Sequence, residues 1–247
     1  MPTRRIVMCA LLAGWCSRAE SSSRLRARPG KAGSAEGGFP SGASPLDLRA
    51  ERDSLLYVPA AAGGSSKAVP LVVYLHGATG NAQQGIRRFS ALADEFGFLL
   101  LSPASEDGTW DAIRSGYGGD VRFLDQALTK VFARHRVDSK SIAVCGFSDG
   151  ASYALGLGLS NGDLFRHVMA FSPGFIPAGV ERTGMPGIFI SHGTKDQILD
   201  IDRCSRRLVP QLKRAGYRVR FEEFDGPHTL PPDIAHAGME WALSKSG

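Results

Sequence analysis

A chain of 247 residues, 43% of them apolar, is long enough for one large α/β domain, and no apolar run in it approaches the roughly 20 residues of a membrane span. Its formal charge of +5 sits at one end: residues 1–50 carry eight Lys and Arg against three Asp and Glu, and the remainder balances at 21 of each. A nucleic-acid surface on the folded part is therefore unsupported, because tracking phosphates requires a clustered excess of cations.

The first fifty residues read as address and linker. MPTRR is a basic start, IVMCALLAGWC an apolar run of 11 residues, and Ser17-Arg18-Ala19 offers small residues at −3 and −1. Residues 1–19 are thus expected to be a signal peptide cleaved after Ala19, which implies a secreted or periplasmic protein. The acid-poor stretch to about residue 35, rich in Arg, Ser and Ala, also resembles an organelle transit peptide, whereas Trp15 before Cys16 argues against a lipoprotein signal. Residues 20–50 are expected to be a disordered linker. Of the four cysteines, Cys145 and Cys204 fall in the domain, where they make no disulfide framework or metal spacing and read as structural thiols.

From residue 51 the elements alternate. SLLYVPA (54–60) reads as a strand, GGSSK (63–67) as a turn and VPLVVYLHG (69–77) as a strand buried on both faces. Ile86, Phe89, Leu92 and Phe96 predict a helix over 82–96 that Gly97 stops, and FLLLSPA (98–104) is again a strand. Val121, Leu124, Leu128 and Phe132 mark a helix over 120–135, followed by the strand SIAVCGF (141–147) and a helix over 149–159. Strands at 167–173, 187–193 and 217–224 and helices at 201–214 and 232–243 complete a single domain, 51–247. Such alternation implies a mostly parallel sheet covered by helices on both faces. The long irregular pieces at 103–119 and 172–186 each follow a strand, where such a sheet builds its crevice.

Gly146-Phe147-Ser148-Asp149-Gly150 fits GxSxG between a strand and a helix, where two glycines leave room for a sharp turn and the serine hydroxyl stands clear of the sheet. A serine needs a base oriented by an acid. The order expected for this turn is Ser, acid, His, and the histidines downstream are His167, His192, His228 and His236. His167 and His192 belong to strands and His236 to the last helix, leaving His228 in the loop GPHTLPP as the base. Asp196, just past the strand GIFIS, is the acid, with Asp200 as the alternative; Asp200 and Asp202 suit a helix cap better. Oxyanion donors are expected from the backbone N–H of Asp149 and from the turn LHGATG (75–80), where Ala78 precedes Thr79 in preference.

YLHGATG, GFSDGASYAL, SHGTKDQIL and FDGPHTLPPDIAHAGMEWAL resemble the corresponding blocks of the phospholipase/carboxylesterase group of the α/β-hydrolase superfamily, with feruloyl-esterase and polyester-depolymerase-like relatives. The resemblance covers about residues 52–247. It implies an α/β-hydrolase catalytic domain with Ser148 as nucleophile, His228 as base, Asp196 as orienting acid and Ala78 as half of the oxyanion hole. Asp149 stands where many relatives carry Gln, which bears on acyl preference.

The expected activity is hydrolysis of a small carboxylic ester or thioester, or a lysophospholipid, through an acyl-enzyme, with neither metal nor organic cofactor. Trp110, Tyr117 and Phe175 on the two long loops are pocket candidates, with Thr79 beside them. No large lid domain interrupts the chain between Gly150 and Asp196, which implies an accessible crevice. Two rival readings are a serine peptidase of the same fold and a binding protein that retains the fold without catalysis.

Overall fold

The computed structural model describes residues 22–30, 37–62 and 67–244. The leader expected over 1–19 lies outside them, as does all but Lys67 of the turn expected at 63–67.

Eight strands form one sheet: β1 (Gly42–Pro45), β2 (Leu55–Val58), β3 (Val69–Leu75), β4 (Leu99–Ser102), β5 (Val137–Phe147), β6 (His167–Phe171), β7 (Gly187–Gly193) and β8 (Val219–Phe224). Their order is β1-β2-β4-β3-β5-β6-β7-β8. β2 is antiparallel to both its neighbours, and every pairing from β4 to β8 is parallel. The helices are α1 (Ala82–Phe96), α2 (Asp111–Arg114), α3 (Gly119–Arg134), α4 (Asp149–Ser160), α5 (Ser205–Arg214) and α6 (Pro232–Leu243). None is long and apolar enough to cross a membrane.

The two-residue period of the pleat sorts the buried strands between two apolar layers. Val72 and Tyr74 of β3 pack with Phe89 and Ala93 of α1 and Ile234 and Met239 of α6. Leu71, Val73 and Leu75 face the opposite layer with Leu124 and Leu128 of α3, Leu155 of α4 and Leu212 of α5. The chain leaves β3 to one side for β4 and returns on the other as β5. Strand order therefore reverses at β3, which opens a crevice beyond the carboxyl ends of β3 and β5.

Several boundaries differ from the sequence pattern. β5 begins at Val137, four residues early, and a register irregularity between Val69 and Leu71 accommodates the added pairing of Val69 with Val137. α5 begins at Ser205, because the Asp200 carboxylate accepts the Arg203 N–H at 3.0 Å and closes a turn first. The loop 103–119 contains the short α2. Cys145 and Cys204 are free, buried thiols, and burial raises the Cys145 thiol well above its ordinary value.

The disordered linker expected over 20–50 is overturned for the described residues. Gly42–Pro45 pair with β2 as the sheet's outer strand, and Leu46 beyond them is fully buried. Residues 22–30 form an extended strap whose backbone is matched by acceptors far along the chain. Leu25 N–H donates to Asn161 Oδ1 at 2.8 Å, Asn161 Nδ2 donates back to Ser23 O at 2.8 Å, and Asp125 Oδ1 accepts the N–H groups of Arg26 and Ala27 at 2.6 and 2.8 Å. Arg24 and Arg28 both reach Asp163, at 2.9 and 2.6 Å. With Leu25 and Ala27 buried in the apolar layer of α3 and α4, the strap has both the burial and the hydrogen bonds that its polar composition concealed.

Candidate active site

β5 ends at Phe147 and α4 starts at Asp149, so Ser148 makes the turn alone, at φ 58° and ψ −120°. That backbone costs a residue other than glycine of order 1–3 kcal/mol and persists only where its surroundings dictate it. Here they do. A Cβ at position 146 would meet Gly150 O at 2.2 Å, and one at position 150 would meet Leu75 O at 2.1 Å. Ser148 N–H donates to Phe171 O at 3.0 Å, and Ser148 O accepts the N–H of Ala151 at 2.9 Å. The serine is thus fastened to β6 on one side and opens α4 on the other.

His228 lies in the loop between β8 and α6, packed at a tilt against Phe147 at 4.8 Å between ring centres. Its Nε2 is 2.9 Å from Ser148 Oγ and its Nδ1 is 2.6 Å from Asp196 Oδ2. A carboxylate only accepts, so Nδ1 carries the proton and Nε2 is left to accept the serine hydroxyl. Asp196, in the turn after β7, accepts the N–H of Ile198 at 2.9 Å and of Leu199 at 2.8 Å through its other oxygen. Burial pulls this carboxyl upward, and the Leu199 N–H, His228 and the Ile198 N–H together outweigh it, so it rests below its ordinary value.

The structure also brings together residues that sequence reasoning passed over. His192, the penultimate residue of β7, is fully buried and places Nε2 3.2 Å from Asp196 Oδ2 and 2.7 Å from Leu199 O, while Nδ1 meets Ser205 Oγ at 2.7 Å. Burial, opposed by the Leu199 carbonyl and Asp196, holds its pKa below the ordinary value, so it is a neutral brace on the carboxylate. His76, after β3, is equally buried beneath Trp110, at 4.8 Å between rings. Its place in the HG pair was the signal available for it.

At the turn after β3, Thr79 N–H donates to Gly108 O at 2.6 Å and Gly80 N–H to Gly77 O at 3.0 Å, while Ala78 is exposed between them. Asp149 is the first residue of α4, so its N–H is among the four that a helix leaves without an internal partner. Its carboxylate accepts the Thr109 hydroxyl at 2.6 Å.

The remaining candidates separate cleanly. Trp110 and Tyr117 are buried, at 0% and 2% exposed. Trp110 donates Nε1–H to His76 O at 2.8 Å and stacks on Tyr153, and Tyr117 packs on the same ring, because so long a loop requires an apolar footing of its own. Phe175 is 43% exposed. Asp200 is engaged in the turn before α5, His236 pairs with Glu95 on the surface at 3.0 Å, and His167 sits at the amino end of β6 beside Arg218. Among the described residues no three His, Cys, Asp or Glu side chains gather as a metal site.

Two family models match the chain: esterase PHB depolymerase over residues 53–176 and phospholipase/carboxylesterase over 121–240. The protein named "putative esterase NocK" of Nocardia uniformis subsp. tsuyamanensis is 29% identical over 149 residues, or 55% of this chain and 42% of that protein. The chain therefore spans less than half the length of that relative. Among solved structures, esterase PE8 superposes with a TM-score of 0.63 at 21% identity, covering 81% of this chain and 99% of the other. The Bacillus cereus carboxylesterase gives 0.60 at 19%, over 78% and 94%. A CE1 ferulic acid esterase of Anaeromyces mucronatus, in complex with ferulic acid, gives 0.62 at 16%, over 90% and 97%.

Proposed function

The chain belongs to the esterase PHB depolymerase family and carries the α/β-hydrolase fold, and from that premise we propose that it is a serine hydrolase cleaving small carboxylic esters through Ser148, His228 and Asp196. The observation that carries the reading is one imidazole standing 2.9 Å from a strained serine hydroxyl and 2.6 Å from a buried carboxylate.

In this mechanism Ser148 Oγ attacks the ester carbonyl carbon while His228 Nε2 takes its proton. The imidazolium is stabilised by Asp196, whose remaining oxygen is already held by two backbone N–H groups. The oxyanion receives the N–H groups of Ala78 and Asp149 at the amino end of α4, where the helix dipole also favours negative charge. His228 then returns the proton to the leaving alcohol, and water repeats the cycle on the acyl-enzyme to release the acid.

Phe175 and Ile198 form the apolar rim of this reading. Three large apolar side chains are exposed among the described residues, and these are two of them. Ile198 follows Asp196 by two positions, and the Phe175 N–H reaches Ser152 Oγ at 3.4 Å, so both loops flank the serine. An exposed apolar pair beside polar catalytic groups suits an ester with an apolar acyl or aryl part. For localisation, the export reading with cleavage after Ala19 keeps the strap, whereas a leader running to residue 35 would remove it.

The test is hydrolysis of a p-nitrophenyl acyl series, methyl ferulate and a thioester by wild type and Ser148→Ala. Wild type should turn over at least one of these esters, and the substitution should lower kcat by about 10⁴-fold or more without altering the thermal transition. Ester hydrolysis that survives in Ser148→Ala would end this reading. A peptide anilide cleaved in preference to every ester would favour the peptidase, and failure of a fluorophosphonate to label wild type would favour a binding protein.

A further inference from the structure

Resting on the hydrolase reading above, we propose that His76 is a positioning residue for catalysis, a neutral clamp that aims the Ala78 N–H at the oxyanion.

The premise is a conflict at Gly77. A Cβ there would lie 3.3 Å from Phe147 O, closer than ordinary packing, and would reach contact with Ser148 Cβ at 3.4 Å, next to the nucleophile, so glycine is favoured. Glycine, however, leaves the following peptide unit loosely held, and that unit carries the Ala78 N–H. Because a peptide is planar with C=O and N–H pointing in opposite directions, fixing Gly77 O fixes the direction of the Ala78 N–H. Two donors fix it: Gly80 N–H at 3.0 Å and His76 Nδ1 at 2.7 Å.

The tautomer of His76 follows from its other nitrogen. Ser105 N–H lies 3.0 Å from Nε2 and a backbone N–H only donates, so Nε2 is the acceptor and Nδ1 carries the proton directed at Gly77 O. The Ser105 hydroxyl, 3.3 Å from the same nitrogen, donates instead to Asp107 O at 2.6 Å. A second proton on the ring would set Nε2–H against the Ser105 N–H, in a site that also holds the Arg52 guanidinium on Ser105 O and Gly80 O. Burial, the largest cause, lowers the His76 pKa to about 4, so the clamp stays in one form across the neutral range. The ring itself packs at a tilt beneath Trp110, whose Nε1–H bonds His76 O at 2.8 Å. Every degree of freedom of this imidazole is thereby fixed without its touching substrate.

Two isosteres separate aiming from mere packing. Asn at position 76 carries an amide nitrogen where Nδ1 stands and keeps a donor for Gly77 O, while losing the acceptor for Ser105. Gln carries its terminal group where Nε2 stands and does the reverse. Steady-state kinetics on an ester that wild type hydrolyses, affinity for a trifluoromethyl ketone that mimics the oxyanion, and thermal transitions would be measured for His76→Asn and His76→Gln. Removing an oxyanion donor outright costs about 10²–10³ in kcat. His76→Gln, which misaims one, should lose about 10–100-fold in kcat and similarly in ketone affinity, with KM within about twofold. His76→Asn should retain kcat within about fivefold even where its thermal transition falls further than that of the Gln variant. Losses that follow stability rather than the Nδ1 donor, or a change confined to KM, would overturn the proposal. Absence of any ester turnover by wild type would instead remove the reading on which it rests.

Discussion

The turn at Ser148 and the strap at 22–30 both hold backbone outside helix and strand, by opposite means. At the turn, shape decides. Positions 146 and 150 admit no Cβ, because carbonyl oxygens of Gly150 and Leu75 stand 2.2 and 2.1 Å from where each would lie. At the strap, pairing decides, since backbone donors meet Asn161 and Asp125 and two arginines meet Asp163. A site fixed by what cannot fit should fail abruptly when volume is added. A segment fixed by what can pair should loosen by steps as partners are removed.

The largest expected effect tests the first half. Gly150→Ala should destabilise the fold by about 3 kcal/mol, measured by chemical denaturation, and should lower ester turnover per folded molecule; wild-type stability would break the contrast. Next, Asn161→Ala strips partners from Leu25 N–H, Ser23 O and Leu157 O, all at 2.8 Å. It should cost about 2 kcal/mol while leaving kcat per folded molecule unchanged, so a loss of kcat would mean that the strap and the site are not separable. Trp110→Phe keeps the ring over His76 and deletes the 2.8 Å bond to His76 O. A stability loss of about 1 kcal/mol with a small drop in kcat is expected.

The smallest effect is electrostatic. The hydrogen bond from Arg24, opposed by burial and helped by Arg28, holds the Asp163 carboxyl from its ordinary 3.8 down to about 2. A carboxyl so lowered contributes stability above its unfolded value and loses it as pH falls through the folded one. Protection of residues 22–30 against hydrogen exchange, taken relative to the intrinsic rate at each pH, should therefore fall as pH drops from about 4 toward 2, and Asp163→Asn should remove that loss. Because both arginines are part exposed, added salt should weaken the pair as well.

How much of this could be read beforehand follows the same division. The elbow was legible because its requirements are local: two glycines, a strand before and a helix after, all within a few positions. Asp196 and His228 were legible as loop residues at strand ends, since an alternating chain has few such places. The strap was not, because its partners lie 98 and 136 residues away and its own composition is that of a linker. The burial of Trp110 and Tyr117 was not legible for a related reason. An aromatic on a loop looks the same in sequence whether it faces a crevice or supports one, and only burial separates the two. His192 was set aside as a strand residue, correctly placed, but the turn that returns Asp196 beneath it is a property of the folded chain.

That Ser148 and His228 stand 80 positions apart has one more consequence. On the ribosome, sequence emerges from the amino terminus, and domains acquire order in that direction. Strands β3, β5 and β6, which bend the serine into place, are all translated before the imidazole exists. From the completion of β6 at Phe171 until His228 is added, the nascent polypeptide thus holds a shaped serine turn with no imidazole beside it, and on the proposed reading hydrolytic competence arrives only with the loop between β8 and α6.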